Sequence, residues 1–146
     1  MIKTFILFSF AFQHQNPSLF GLNIGCKTGE TTKKLSTQYP ELKWYGIDTD
    51  QQKISIAQKR YHQNDYLAID IEKDNLNIKN DSFQIIEVSE YKDLMINMER
   101  ALLRLSKGGI LIYNCKDHDD VYKLRNQMMQ EKRNYYIIGK KILIFK

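Results

Sequence analysis

The stretch Leu19 to Glu30, LFGLNIGCKTGE, does most to limit what this chain can fold into. Leu19 to Ile24 is a short apolar run closed by Gly25, which reads as a buried strand. Gly25 and Gly29 then bracket a loop. Glu30 to Gln38 reads as a helix that stops before Pro40, with Thr28 placed to cap it. A glycine loop running from a buried strand into a helix N-terminus can receive a charged ligand on its backbone, as in many nucleotide-type cofactor sites. Lys27 stands midway between the two glycines, where such loops often carry a third.

The alternation continues along the chain. LKWYGIDTD supplies a second strand, Lys43 to Ile47, ending at Asp48, and Asp50 is placed to cap a helix whose Ile54, Ala57 and Tyr61 share one face. YLAIDI, Tyr66 to Ile71, reads as a third strand and SFQIIEVS as a fourth. Met95, Met98, Leu102 and Leu105 mark a helix that ends in SKGG, with Arg100, Arg104 and Lys107 where cations suit the dipole. GILIYN is a fifth strand, Asp117 to Lys132 a helix on Val121, Leu124 and Met128, and YYIIGKKILIF a hairpin about Gly139 and Lys140. Strands alternating with helices predict an α/β fold with a doubly wound, mainly parallel sheet, closed by an antiparallel C-terminal hairpin. No repeat or low-complexity linker interrupts this plan. Residues 1–146 are therefore expected to form a single domain, with no separate substrate domain.

Composition narrows the class further. A hydrophobic content of 42% with 27% charged residues argues against wholesale disorder. The formal charge of +5 comes from scattered lysines, which suit solvated helix faces and lend only a modest field towards RNA or another polyanion. Cys26 and Cys115 form no CxxC pair and no histidine stands at ligand spacing, so neither a metal site nor a disulfide framework is expected. A reducing, cytoplasmic setting is the simpler assumption. The apolar run from Phe5 to Phe12 is too short to span a bilayer and lacks a small-residue cleavage site. It is expected to pack on the domain as a strand or helix, with secretion as the minority reading.

Three polar features fall at the carboxyl ends of three successive strands: the Gly25 to Gly29 loop, Asp48 and Asp70. In a sheet of this type those ends converge on one crevice. A carboxylate after the second strand can accept two hydrogen bonds from ribose hydroxyls, and one after the third can take a bond from an exocyclic amine. Singly, each also has a plainer reading, as a tight turn, a helix cap and a solvated carboxylate.

In order and spacing these segments resemble class I S-adenosylmethionine-dependent methyltransferases, whose fold is Rossmann-like. LNIGCKTG is similar to the family's GxGxG loop, YGIDTD to its second motif, IKNDSFQII to the entry of its fourth strand, and ERALLRLSKGGILI to its later helix and fifth strand. The resemblance covers roughly Leu19 to Asn114 and implies S-adenosylmethionine as cofactor. Carried over, it implies that Gly25, Cys26, Lys27 and Gly29 line the methionine part of the cofactor, that Asp48 meets the ribose, that Asp70 and Ile71 border the adenine, and that Thr49 also belongs to the cofactor-binding set. Ser89 would face the methionine or the substrate, which would dock over Ser89 to Tyr91. Because methyl transfer needs mainly positioning of a nucleophile, no catalytic residue need be visible.

The chain departs from the family pattern at Asn23, which replaces an acidic residue, at Lys27, which replaces the middle glycine, and at Gln84, which replaces an aspartate. It lacks the usual proline before Gly108, and it has few residues that could form a substrate cap. The acceptor is unidentified, with RNA or protein compatible and a partner subunit as one source of substrate recognition. Loss of the cofactor would leave a methyltransferase-like binding or scaffold subunit. A nicotinamide-dependent dehydrogenase is disfavoured, because Gly25 and Gly29 do not make the GxGxxG spacing.

Overall fold

The computed structural model describes residues 19–73, 79–89 and 94–146. The expected N-terminal element and the docking residues Glu90 and Tyr91 lie outside them. In chain order the elements are β1 (Phe20–Ile24), α1 (Glu30–Gln38), β2 (Lys43–Asp48), α2 (Gln51–Arg60), β3 (Asp65–Ala68), a 3-10 turn (Ile71–Lys73), β4 (Phe83–Ser89), α3 (Leu94–Arg104), β5 (Leu105–Asn114), α4 (His118–Gln130), β6 (Asn134–Ile138) and β7 (Lys141–Phe145).

The seven strands form one sheet in the order β3-β2-β1-β4-β5-β7-β6. β1 to β5 pair in parallel with their neighbours, and β7 runs antiparallel to both β5 and β6. Chain order reverses on either side of β1, so the doubly wound arrangement and the closing hairpin are both present. Met98 and Leu102 of α3 and Leu124 and Met128 of α4 cover one face, packed with Leu22, Ile86, Leu111 and Ile144. On the opposite face Leu35 of α1 packs with Trp44 and Ile85, and Ile54 and Ala57 of α2 pack with Cys26 and Tyr66. Each fully buried apolar side chain contributes about 1.5–3 kcal/mol, so the larger cluster under α3 and α4 carries most of the stabilisation. Trp44 lies so close over β1 that a Cβ at Gly21 would stand 2.6 Å from its ring.

Two expected boundaries are corrected. β3 does not run to Ile71: its ladder pairs Tyr45–Asp48 with Asp65–Ala68 and stops where β2 stops, after which Ile71 drops into the core. α3 does not run on into SKGG. Leu105 is fully buried and pairs with Phe83, which forces the helix to end at Arg104. Its last carbonyls are taken by loop residues, since Asp81 N–H donates to Leu103 O at 3.0 Å and Ser82 N–H to Arg104 O at 2.8 Å. The glycine pair instead lies in a bulge, where the pairing steps from Phe83–Leu105 to Ile85–Ile110 and Gly108 takes φ 77°.

Candidate functional site

The loop after β1 has three residues with positive φ, although the middle one is a lysine. Gly25 and Gly29 have φ of 77° and 95°, and Lys27 has φ 52°. A left-handed conformation costs an L-residue about 1–2 kcal/mol. Hydrogen bonds to β2 hold it there. The N–H groups of Gly25 and Cys26 both donate to Ile47 O, at 2.9 and 3.0 Å. The N–H of Lys27 donates to Asp48 Oδ2 at 2.9 Å, and that of Asp50 to Asp48 Oδ1 at 3.0 Å. Each oxygen of the nearly buried Asp48 carboxylate thus takes one backbone donor and keeps further acceptor capacity.

Gly29 is the N-cap of α1. A Cβ there would meet Tyr61, Ala57 and the Tyr66 hydroxyl at 2.9–3.0 Å, so the helix start packs against α2 and β3 only as glycine. Thr28 does not cap the helix, a correction: its hydroxyl donates to Glu30 Oε2 at 2.6 Å. Asp50 caps α2 as expected, accepting from the N–H groups of Gln52 and Lys53. Cys26 is buried among Ile54, Ala57 and Tyr66. That burial, reinforced by the charge of Asp48, pushes its thiol up to about 12, and burial pushes Cys115 up to about 11. Both stay protonated at neutral pH and are poor nucleophiles.

Two of the departures from the family pattern have structural roles. Asn23 is fully buried; its Oδ1 accepts from Thr32 Oγ1 at 2.9 Å and its Nδ2 donates to Glu87 O at 3.3 Å, tying β1 to α1 and to β4. Gln84 Oε1 accepts the N–H of Phe20 at 2.6 Å and joins the start of β1 to β4. Across the sheet, Asn114 Nδ2 donates to Glu87 Oε1 at 2.9 Å and reaches Ser89 Oγ at 3.3 Å.

A cavity of about 350 Å³ opens at the carboxyl ends of β1, β4 and β5. Of the expected residues, Gly25, Lys27 and Ser89 line it. Asp48 is joined to the loop from the β2 side and is not in the wall; Thr49 is exposed beyond it. Asp70 lies two residues past the end of β3, with Lys73 Nζ 4.0 Å from its carboxylate, and Ile71 is fully buried in the main core. Thr31, Asn114, Cys115, Lys116 and Lys140 line the cavity and were not anticipated. Asn114 closes GILIYN at a strand end beside β4, a position that signals a crevice residue in a sheet of this kind. Lys140 sits in a hairpin turn, and no short-range pattern carries that turn to β5. Among the described residues no cluster of His, Cys, Asp or Glu is arranged to hold a metal, and no helix is long and apolar enough to cross a membrane.

A parallel sheet that reverses its order beside a glycine loop, with an acidic residue ending the next strand and a cavity over the reversal, defines an α/β domain of the nucleotide-type cofactor-binding class. A protein-family model described as a methyltransferase domain matches residues 22–107, well over half of the chain, and the chain belongs to that family. Solved structures share the fold. A Methanococcus maripaludis protein assigned as an S-adenosyl-L-methionine-dependent methyltransferase is 12% identical, with a TM-score of 0.70 over 98% of this chain and 83% of that one. The YcgJ protein of Bacillus subtilis is 14% identical, with a TM-score of 0.67 over 92% and 70%. The plantazolicin methyltransferase BpumL, solved with S-adenosylhomocysteine, is 19% identical, with a TM-score of 0.60 over 84% of this chain and 47% of that one. No curated protein matches the chain.

Proposed function

We propose that this is an S-adenosylmethionine-dependent methyltransferase domain whose cofactor lies along the carboxyl ends of β2, β1 and β4. The supporting observation is the bond from Lys27 N–H to Asp48 Oδ2, which joins the glycine loop to the acidic end of β2 and so keeps both in the relation a nucleoside-bearing cofactor requires. The residues present fit the group. Asp48 retains acceptor capacity for ribose hydroxyls, Asp70 stands past the neighbouring strand for the adenine side, and Gly25, Lys27 and Ser89 border the space for the methionine part. Cys26, Gly29 and Ile71 take supporting places, Cys26 and Gly29 by fixing the loop and Ile71 by anchoring the turn after β3, and Thr49 follows Asp48 at the surface.

S-adenosylmethionine, when bound, supplies a methyl group whose carbon–sulfur bond breaks onto sulfur as an acceptor lone pair forms the new bond, the acceptor's proton passing to solvent. The chain's own contribution is placement. The loop, clamped at Gly25, Cys26 and Lys27, presents a fixed wall; Asn114 orients Ser89 at the end of β4; and the N-terminus of α1, with Thr31 at the cavity, favours a carboxylate.

Titration calorimetry with S-adenosylmethionine and S-adenosylhomocysteine tests the proposal, with binding of both expected. Absence of binding by either at millimolar concentration would overturn it. The second reading, a domain that keeps the fold as a binding or scaffold subunit without the cofactor, is favoured by one observation: a lysine, Lys27, lines the cavity where the family pattern has glycine. It expects Lys27→Gly to restore cofactor affinity to a chain that lacks it.

A further inference from the structure

We propose that the cavity takes an anionic methyl acceptor, a small molecule bearing a carboxylate or phosphate, and that Lys116 and Lys140 hold that anionic group. This rests on the methyltransferase reading above and names the substrate class of the same site.

Lys27, Lys116 and Lys140 all line the cavity, while no carboxylate of a described residue does. Three lysines on the walls of about 350 Å³ favour an acceptor that brings negative charge beside the cofactor's sulfonium. The three lysines stand on two walls. Lys27 belongs to the loop between β1 and α1, beside the helix N-terminus that already suits the cofactor's carboxylate. Lys116 and Lys140 lie across the cavity, past the end of β5 and in the β6–β7 turn. They are fixed as a pair: Cys115 N–H donates to Lys140 O at 2.8 Å, and Lys140 Nζ donates to Lys116 O at 3.4 Å. An ammonium so held keeps two more donors for a ligand oxygen. Ser89 and Asn114 add neutral polar groups at the strand ends in between. The volume falls at the lower end of the range for small-molecule pockets, and the methionine part of the cofactor takes a share of it, so the space left suits a small anionic acceptor.

The experiment saturates the full chain with S-adenosylhomocysteine, then titrates inorganic phosphate, succinate and neutral glycerol, following the Lys116 and Lys140 amides by NMR. Phosphate, succinate or both are expected to bind in the millimolar range, more weakly as salt rises. Lys116→Gln and Lys140→Gln should each weaken that binding roughly threefold to tenfold without changing affinity for S-adenosylhomocysteine. A response to phosphate alone assigns a phosphate-bearing acceptor, and one to succinate alone a carboxylate-bearing one. The proposal is overturned if neither anion binds at tens of millimolar, if glycerol binds as well, or if S-adenosylhomocysteine competes with the anion, since the two lysines would then serve the cofactor. Should S-adenosylhomocysteine itself not bind, the functional reading falls. Anion titration of the chain alone then decides the lysine site separately: binding lost in both variants upholds it, and no binding removes it.

Discussion

The backbone N–H of Lys27 lies 2.9 Å from Asp48 Oδ2, so the only non-glycine residue of the loop with positive φ is held by the carboxylate that ends the next strand. Asp48→Ala removes the acceptor for this donor and for Asp50 N–H together. It should cost about 1–3 kcal/mol of stability and also abolish binding of S-adenosylhomocysteine. Urea unfolding and calorimetry check both, and a variant as stable as the parent would refute the clamp.

Position 27 tests the strain directly. Lys27→Gly should stabilise the fold by roughly 0.5–1 kcal/mol, the relief of the left-handed conformation less the greater freedom of glycine in the unfolded chain. Lys27→Val should destabilise it, because a β-branched residue tolerates this conformation worse. Reversal of that order in denaturant midpoints would show that the loop is not under backbone strain.

Asn23→Asp restores the acidic residue of the family pattern yet should lower stability by about 1–3 kcal/mol. An aspartate cannot donate to Glu87 O, and it sets two acceptors facing each other in a fully buried site. Thermal unfolding of the variant measures the loss; Asn23→Ala serves as the comparison that removes both bonds.

Alkaline stability should report on Cys26. Its thiol is raised from 9.0 to about 12 in the fold, so the stability gained by keeping the proton is complete below pH 9 and is lost as pH rises from 9 towards 12. At pH 10 the loss from this group amounts to about 1 kcal/mol. Cys26→Ala should flatten that part of the unfolding free energy against pH, and an unchanged slope would count against the burial argument.

The sheet was legible because its strands are short apolar runs with glycine, proline and aspartate between them, and the same punctuation set the starts of α1 and α2. What short-range pattern missed was decided by partners far along the chain. β3 ends early because β2 ends at Asp48, and α3 ends early because Leu105 has a place opposite Phe83. The site divides in the same way. Gly25 and Lys27 could be read from a strand end and Ser89 from the family resemblance, whereas Lys140 reaches the cavity through a hairpin that crosses back to β5. Asn23 and Gln84 looked like lost chemistry in the sequence. In the fold they are hydrogen-bonding residues between strands.

The loop after β1 separates shape from charge. Its path is fixed by two glycines and by bonds to Ile47 and Asp48, all through main-chain N–H groups, so none of them depends on which side chain stands at position 27. That side chain is therefore a setting the protein can alter without rebuilding its frame: an ammonium, a neutral amide or a bare hydrogen would each give the same contour a different electrical character.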